Sequence, residues 1–391
     1  MPTSKPSVLF LPKWYPHEFD WFDGNFIENH AHAIKAQAKL AVLFVHSDAN
    51  LKEGYRIEER ENKGIYELKI FYPKPNTALA WLDKLMGGIA YAKAQRFGYQ
   101  KLVESGWQFD LCHVHVLSRS AFLALALKKE AGIPYGITEH WSGYLKERNE
   151  YHGLLKKQFT KRAVTQASFV TTVSTYLKTS MQAHGLKNHY HVIPNVVDAQ
   201  LFNIDKRNEA VTEVLFVGNL LQRPKKVLDI LKVFAALHQA GEKFVLQLYG
   251  EGKDEAACRN FIEQEQLSDI LQLKGTAERE QIGKKMGSAA FLVLFSEFEN
   301  QPCVISEAQA AGIPVVVPDL PGIKEFMHED LGLLFPSRDR EAFKAACKKM
   351  LHTYQTYKRE RIRDYALKTF SEPVIGKQFS DLYQSTLKHA E

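Results

Sequence analysis

Two glutamates, Glu299 and Glu307, lie in the part of the sequence best suited to chemistry. An apolar run ends just before Ser296, a polar stretch with Glu299 follows, and a segment with Glu307 begins at Pro302 and ends at Gly312. Proline suits the first turn of a helix and glycine the residue after its end, so the pattern predicts a strand, a loop and a helix. The spacing of the two glutamates is by itself weak evidence for a functional site. The backbone N–H groups of a loop that enters a helix at the end of a parallel strand, however, attract anions. We therefore expect an anionic ligand here.

Short runs of β-branched and aromatic residues recur on both sides of this segment. Stretches with helical spacing lie between most of them, and continuously apolar strands are typical of a parallel sheet covered on both faces. One series of runs extends from residue 8 to residue 174, and a second extends from residue 213 to residue 318. The alternation therefore predicts the α/β class, with two doubly wound parallel sheets in succession.

The two series are separated by a linker around Pro194, because a residue before proline favours extended backbone. We predict an N-terminal domain over residues 1–198 and a second domain over residues 199–370. Residues 371–391 open with Ser371, a suitable N-cap, and continue with apolar residues at helical spacing. They predict a closing helix that packs back on the N-terminal domain.

Length and composition exclude several classes of protein. The 391 residues suffice for two or three domains, and 45% hydrophobic with 25% charged residues is ordinary for a globular chain. No apolar run approaches the roughly 18 residues of a spanning helix or resembles the core of a signal peptide. The four cysteines lie far apart and include no C-x-x-C pair, a pattern that indicates reduced thiols rather than disulfides or a zinc site. We therefore expect a cytoplasmic protein without a disulfide framework or a zinc knuckle.

The sequence resembles the retaining glycosyltransferases of family 4 over nearly its whole length. The shared features are Glu299 and Glu307 with G-I-P-V behind them, and four further stretches, which are WYPHEFDWFDGNFIENHAHAI (14–34), TEHWSGY (138–144), FVGNLLQRPKKVLDIL (216–231) and GLLFPSRDREAF (332–343). Members of that family have the GT-B fold, in which two Rossmann-like, doubly wound domains face each other across a central cleft. The resemblance implies the same fold for this chain.

The resemblance also implies a nucleotide-sugar donor and the residues that bind it. Glu307 would accept hydrogen bonds from the ribose hydroxyls, because one carboxylate can receive two donors. Glu299 would face the transferred sugar, together with the backbone N–H groups of Asn300 and Gln301. These four residues would make the segment after the strand a donor-binding loop.

Four more residues are assigned by the same resemblance. Gly24 matches a glycine that lets the backbone approach the donor diphosphate, and His140 matches a histidine that enters the cleft. Lys225, helped by Arg223, would meet the charge of the departing diphosphate. Family members often have arginine after the glycine of F-V-G, whereas Asn219 stands there in this chain. Lys225 is therefore a better candidate than Arg223 for the leaving-group role.

Each of these assignments has a plainer structural alternative. Without the resemblance, His140 would be interpreted as a core or loop histidine, Gly24 as a turn glycine and Lys225 as a surface lysine. His113 and His115 alternate along an apolar strand, and we interpret them as structural residues.

The implied reaction is transfer of a sugar, with retention of anomeric configuration, from a nucleotide-diphosphate donor to a glycan or lipid-linked acceptor. UDP-sugars are favoured over GDP-sugars, and cell-surface polysaccharide synthesis is the expected context. The sequence has no D-x-D motif to bind a metal ion. Lysine, arginine and a helix N-terminus can stabilise the diphosphate instead. We therefore expect neither a metal nor a cofactor.

Charge is uneven along the chain. Residues 1–198 hold 25 basic and 18 acidic side chains, a net of +7, whereas the remaining residues hold 26 and 27, a net of −1. A basic run at 154–163 and an apolar segment at 76–91 could contact anionic lipid at the inner membrane surface. We favour the alternative of a solvated basic face and an ordinary core helix. Nucleic acid is an improbable partner, because no binding motif is present.

Other enzymes and binding proteins with related folds remain as alternatives. A GT-B sugar-nucleotide epimerase or a sugar phosphorylase is the closest enzymatic alternative. A non-catalytic sugar-nucleotide-binding protein is also compatible with the sequence, because of Asn219. An NAD-dependent oxidoreductase is disfavoured, since the G-x-G of Gly250 and Gly252 lacks the third glycine of the dinucleotide motif.

Overall fold

The computed structural model describes residues 5–77, 79–207 and 210–388. The chain forms two compact units. The first unit comprises the chain up to Val196 together with the segment from Glu372 onward, and the second unit extends from Val197 to Ser371. Within the described residues, no helix has both the length and the apolar character needed to cross a membrane.

The first unit is built on an eight-stranded sheet. Its strands are Ser7–Pro12 (β1), Lys39–Asp48 (β2), Arg56–Asn62 (β3), Ile65–Pro73 (β4), Leu111–His115 (β5), Tyr135–Glu139 (β6), Phe169–Thr172 (β7) and Tyr190–Val192 (β8). The spatial order is β3-β4-β2-β1-β5-β6-β7-β8, and every neighbouring pair except β3 and β4 is parallel. Its helices are Asn25–Ile34 (α1), Ala80–Glu104 (α2), Ala121–Ala131 (α3), Leu154–Gln166 (α4), Thr175–Ala183 (α5) and Glu372–Lys388 (α13).

Strand β3 departs from the purely parallel sheet that the sequence predicts. It pairs antiparallel with β4, and Lys63 and Gly64 connect the two strands with φ angles of 50° and 83°. Positive φ at both turn residues is typical of a tight hairpin whose twist matches its strands. The run RIEEREN is too polar to be recognised as a strand from periodicity. Charged side chains on an edge strand discourage pairing with other chains.

Helix α13 returns the end of the chain to the first unit. It packs on α1, and a Cβ atom at Gly376 would overlap the carbonyl oxygen of Ala33, so the two helix backbones lie very close. The Tyr383 hydroxyl lies 2.6 Å from Nδ1 of His113, and Nε2 of the same ring lies 2.7 Å from the hydroxyl of Thr138. Both ring nitrogens of His113 are therefore engaged, and this residue connects α13 to the sheet.

The second unit is built on a six-stranded, fully parallel sheet. Its strands are Glu213–Val217 (β9), Val245–Tyr249 (β10), Leu271–Gly275 (β11), Phe291–Val293 (β12), Val315–Pro318 (β13) and Gly332–Phe335 (β14), in the order β11-β10-β9-β12-β13-β14. Its helices are Val227–Gln239 (α6), Glu255–Gln264 (α7), Arg279–Ser288 (α8), Cys303–Ala310 (α9), Pro321–Lys324 (α10), Arg340–Thr353 (α11) and Arg359–Phe370 (α12).

The segment that contains both glutamates folds as a strand, a loop and a helix. Helix α9 begins at Cys303, so Pro302 is its N-cap rather than a residue of its first turn. Gly312 follows the helix with a φ of 68°, the left-handed conformation that favours glycine. Glu299 therefore lies in the loop and Glu307 on the helix, at the carboxyl end of β12.

Candidate functional site

A shielded ion pair joins two loops of the second unit. Lys225 precedes α6, Glu299 precedes α9, and Nζ of the lysine lies 2.6 Å from Oε1 of the glutamate. Only 19% of the lysine side chain and 14% of the glutamate side chain are exposed. A Cβ atom at Gly218 would lie 3.9 Å from Cε of Lys225, an ordinary contact distance, so the lysine stem passes beside this glycine. The sequence-predicted leaving-group and sugar-facing residues are thus in direct contact.

Glu297 holds the same two loops together. Its backbone N–H donates to the carbonyl oxygen of Pro224 at 2.9 Å, and its carboxylate pairs with Arg223 at 3.2 Å and with Lys226 at 3.0 Å. Arg223 is largely exposed and contacts Glu297 rather than Glu299. Sequence reasoning missed Glu297, because its partners lie more than 70 positions away in the chain.

Glu307 is a partly shielded carboxylate on α9. Burial raises the pKa of Glu307 above its ordinary value, and the positive charge of Arg279, the first residue of α8, opposes that rise. The adjacent thiol of Cys303 is affected as well, since burial and then the charge of Glu307 raise its pKa to about 12. Glu307 is therefore costly to ionise, and the guanidinium of Arg279 reduces that cost. The sequence offered no signal for Arg279, which lies in a different strand-helix unit.

The backbone of the loop between Glu299 and α9 packs directly against Gly322. Asn300 and Gln301 are buried, and a Cβ atom at Gly322 would overlap the carbonyl oxygens of both Asn300 and Glu299. Gly322 lies in α10, directly after Pro321. Any side chain at this position would displace the backbone that carries the candidate donor-binding residues. The Pro-Gly pair after β13 was the available signal in the sequence.

In the first unit, Gly24 occupies a position that only glycine fits. It has a φ of 65° and is the N-cap of α1. A Cβ atom there would overlap the backbone of Trp14. The turn and the close approach of two backbone segments explain the residue without a ligand. The predicted contact with a diphosphate stays a prediction.

A buried carboxylate anchors the loop that leads to Gly24. The Tyr15 hydroxyl donates to Oε1 of Glu67 at 2.9 Å, and Nε of Arg60 donates to Oε2 at 2.6 Å. Lys69 also lies near Glu67 and donates to the carbonyl oxygen of Pro16 at 2.6 Å. Burial opposes ionisation of Glu67, but hydrogen bonds led by that from Arg60 hold its pKa below the ordinary value. The loop is thus attached to β4 by charged hydrogen bonds.

The loop that carries His140 is organised by Glu139, the last residue of β6. Oε1 of Glu139 accepts the backbone N–H groups of His140 and Trp141, each at 2.8 Å, and Oε2 accepts that of Leu117 at 2.9 Å. Burial raises the pKa of Glu139 although three N–H groups and Lys13 favour the carboxylate. Glu139 therefore positions the residue that the sequence singled out, and sequence reasoning missed it.

The His140 ring belongs to a histidine cluster, a name we use for His30, His115 and His140. The ring centroids lie 5.2 Å apart for His30 and His140 and 5.6 Å apart for His115 and His140. Phe26, near the start of α1, packs on His140 at 4.8 Å. Burial, followed by the neighbouring His30, lowers the pKa of His140 well below its ordinary value. His140 is therefore neutral near pH 7 and can exchange hydrogen bonds but not supply charge.

Within each unit, the structure brings predicted site residues together. In the second unit, Lys225 contacts Glu299, Asn300 and Gln301 follow in the same loop, and Arg223 reaches the neighbouring Glu297. In the first unit, Phe26 connects the beginning of α1 to His140.

Two family models match consecutive parts of the chain. The model described as Glycosyltransferase Family 4 matches residues 33–201, and the model described as Glycosyl transferases group 1 matches residues 197–369. Together they extend over both units.

Curated proteins with similar sequences carry glycosyltransferase names. An uncharacterized glycosyltransferase of Methanocaldococcus jannaschii is 30% identical over 62% of this chain and 65% of its own length. A Bacillus subtilis protein named for teichuronic acid biosynthesis, TuaC, is 25% identical over 77% of this chain and 75% of its own length. The chain spans slightly less than two thirds of the first two relatives, at 65% and 62% of their lengths.

Solved structures with the GT-B fold resemble the whole chain. Sucrose-phosphate synthase from Thermosynechococcus elongatus superposes with a TM-score of 0.76 at 16% identity, over 99% of this chain and 100% of the other. The lipopolysaccharide outer core galactosyltransferase WaaB gives a TM-score of 0.68 at 18% identity, over 97% and 99%. At these identities the likeness concerns the fold, and it confirms the GT-B class predicted from the sequence.

Proposed function

This chain belongs to the family 4-like, group 1 glycosyltransferases, and from that premise we propose that it transfers a sugar from a nucleoside diphosphate donor with retention of configuration. The observation that carries the proposal is the shielded pair of Lys225 and Glu299, placed where loops enter α6 and α9. Such loop and helix starts at the carboxyl ends of parallel strands favour phosphate binding. The pair supplies a cation for the diphosphate and an acceptor for sugar hydroxyls.

In the proposed mechanism, Lys225 stabilises the leaving group. Negative charge grows on the diphosphate as its bond to the sugar breaks, so a nearby ammonium interacts more strongly with the transition state than with the ground state. Donor binding would draw Lys225 from Glu299 toward the phosphates and leave the Glu299 carboxylate to accept sugar hydroxyls. The lysine, with Arg223 and the start of α9 as secondary contributors, would make a metal ion unnecessary. The acceptor hydroxyl would lose its proton to a phosphate oxygen.

Glu307 is proposed to bind the ribose. An ionised carboxylate can accept both vicinal hydroxyls, and these donors would repay part of the cost that burial imposes on ionisation. The roles of Gly24 and His140 follow from the family resemblance alone. The neutral imidazole of His140 would orient a sugar hydroxyl.

Names of related proteins support a UDP-sugar donor and a polysaccharide product. The Anabaena protein HepE, which has the same fold, is described in complex with UDP and glucose, and TarM is described with UDP. Similar curated proteins are named for teichuronic acid, colanic acid and amylovoran biosynthesis. We therefore propose a UDP-sugar donor and a role in cell-surface polysaccharide synthesis, with a glycan or lipid-linked acceptor.

An exposed apolar surface in the first unit supports a lipid-linked acceptor and peripheral membrane contact. The sequence favoured an ordinary core helix at residues 76–91, but the structure exposes several apolar side chains in this half of α2, including 66% of Trp81 and 56% of Leu85. At the start of α4, Leu154 and Leu155 are 80% and 82% exposed. Single exposed apolar side chains are normal, whereas large contiguous groups of them mark sites of contact with proteins or membranes.

Basic residues accompany this apolar surface. The Lys156 ammonium lies 3.8 Å from the centre of the Trp141 ring, and Arg119 donates to the carbonyl oxygen of Lys84 at 3.1 Å. Partial burial and then the charge of Lys13 lower the pKa of Lys156, and Lys84 acts in the same direction, so these cations lie close together. Apolar side chains beside clustered cations fit an anionic lipid surface.

The transfer reaction is tested by NMR of the anomeric proton with a panel of UDP- and GDP-hexoses. We expect the first sugar released or transferred from an α-linked UDP donor to be the α anomer, and turnover to persist in EDTA. A β product would refute retention. Turnover that EDTA abolishes and Mg²⁺ or Mn²⁺ restores would refute metal independence. Nucleotide binding without turnover would favour a non-catalytic binding protein.

Replacing Lys225 with Ala should lower kcat by about 100- to 1000-fold, the usual cost of removing one group that stabilises developing charge. Donor affinity should change far less, because the lysine acts mainly in the transition state. Lys232→Ala, at an exposed position on α6, is the matched control and should leave both parameters unchanged. A rise in KM alone would show that Lys225 contributes only uniform binding. Arg223→Ala would then be the next variant to measure.

Glu307→Gln should have opposite effects on stability and on nucleotide binding at neutral pH. Because the pKa of Glu307 is raised in the folded protein, ionisation costs stability above the ordinary carboxyl pKa, so the variant should gain stability at pH 7 and lose that gain near pH 4. Affinity for UDP should fall about tenfold or more at pH 7, since hydrogen bonds to a charged acceptor are lost. Glu280→Gln on exposed α8 is the control. Unchanged UDP affinity would remove Glu307 from the ribose role.

Membrane contact is tested by sedimentation with lipid vesicles. The protein should bind vesicles rich in phosphatidylglycerol and show little binding to pure phosphatidylcholine. A Leu154→Ser, Leu155→Ser variant should bind about tenfold more weakly or worse, given the usual value of burying a leucine side chain. Val103→Ser, at an exposed apolar residue at the other end of α2, is the matched control. Equal binding by all three proteins would refute this surface.

A further inference from the structure

We propose that the histidine cluster of His30, His115 and His140 is a binding site for a divalent transition metal ion, with Zn²⁺ as the best fit. His30 lies on α1, His115 is the last residue of β5, and His140 directly follows β6. One ring nitrogen from each residue can be chosen so that all three lie within 4.8 Å of one another. The proposal is separate from the leaving-group chemistry and does not depend on the proposed function, but a His140 that binds the ion would no longer orient a sugar hydroxyl.

The spacing of the rings matches the coordination of zinc by three histidines. Zn²⁺ is bound at about 2.0–2.1 Å by imidazole nitrogens with tetrahedral geometry, which sets neighbouring nitrogens about 3.3 Å apart and ring centroids about 5 Å apart. Nδ1 of His115 and Nε2 of His140 lie 3.3 Å apart. The three centroid distances are 5.2, 5.6 and 5.7 Å. Small ring rotations would therefore suffice to bind an ion.

His30 already has the hydrogen-bonding pattern of a metal ligand. Its Nε2 lies 3.2 Å from the carbonyl oxygen of Pro194, and because a carbonyl only accepts, Nε2 carries the proton and donates. Nδ1 then holds a lone pair that is buried without a hydrogen-bond partner among the described residues. Metal-ligating histidines usually donate the second ring N–H to a carbonyl or carboxylate in this way.

The other two ligands differ in what holds their second ring nitrogen. His115 would bind through Nδ1, the nitrogen near His140, and its proton would then lie on Nε2, which is buried and has no hydrogen-bond partner within the described parts of the chain. The side chain of Asn195 hydrogen-bonds to the His140 ring and would hold it in place. The lone pair on Nδ1 of His30 is costly to bury without a hydrogen-bond partner, and an ion would remove that cost.

His113 lies beside the histidine cluster, but both of its ring nitrogens are hydrogen-bonded to other residues. The His113 ring lies 4.2 Å from that of His115, but its two nitrogens are engaged by Tyr383 and Thr138. It is therefore not a ligand, which leaves three ligands among the residues that the structure describes and one open position for water or another small ligand.

The proposal is tested on the full chain by Co²⁺ titration, Zn²⁺ content and thermal unfolding. Protein stripped with chelator and then refolded from denaturant with Co²⁺ should bind one ion and show the intense visible absorption of tetrahedral Co²⁺. Zn²⁺ should displace it and raise Tm. Refolding provides access to the buried site, so failure of wild-type protein to bind Co²⁺ or Zn²⁺ after refolding would overturn the proposal.

Variants identify the ligands. His30→Ala and His115→Gln should each weaken Zn²⁺ binding at least tenfold and abolish the tetrahedral absorption, whereas His152→Ala, at an exposed position of the first unit, should bind as wild type does. Circular dichroism and a cooperative thermal unfolding transition verify that each variant is folded. If one variant fails to fold, the other decides. Binding by a folded His30 or His115 variant equal to that of wild type would overturn the assignment.

Discussion

Parallel strands all leave a sheet by their carboxyl ends along one edge, and this constraint determines which distant residues meet. Strands β9 and β12 pair directly, so the loops after them are neighbours and Lys225 contacts Glu299 across 74 positions of sequence. In the first unit, β1, β5 and β6 pair in that order. The residues after these strands therefore bring Gly24, His115 and His140 to the same edge. Pairing order, rather than order in the chain, selects the residues that form a site.

Three shielded carboxylates, Glu67, Glu139 and Glu307, are stabilised in different ways. Glu67 is compensated by charged hydrogen bonds and stays ionised with a lowered pKa, whereas Glu139 relies on backbone N–H groups and has a raised pKa. For Glu307, the nearby charge of Arg279 opposes the effect of burial, and the pKa is raised. Desolvation penalises the charged form unless specific partners offset it, so incompletely compensated groups are suited to ligands that bring their own donors. By this criterion Glu307 is the residue best prepared for a hydroxyl-bearing ligand.

Glycines set how closely the backbone segments around the sites approach. Gly24 permits contact with Trp14, Gly322 permits contact with the loop of Glu299, and Gly376 lets α13 lie against α1. In each case the neighbouring atoms belong to the backbone, which cannot move aside as a flexible side chain could. These contacts explain why the loops that carry the candidate residues have defined positions before any ligand binds.

Sequence alone determined the fold class and the family, because apolar periodicity reports which elements are buried and because the motif around Glu299 and Glu307 combines strand, loop and helix signals in one stretch. The assigned roles of the site residues stay predictions. Strand β3 was missed, since its charged residues hide an edge strand, and the exposure of Trp81 contradicted the expected core helix. Only the tertiary structure revealed the residues that act through distant partners, which are Glu139, Glu297, Arg279 and Gly322. Their environments depend on strand pairing and close packing between segments far apart in the chain. The Pro-Gly pair at Gly322 marks a turn, but no local pattern of residue types encodes the contacts that these residues make.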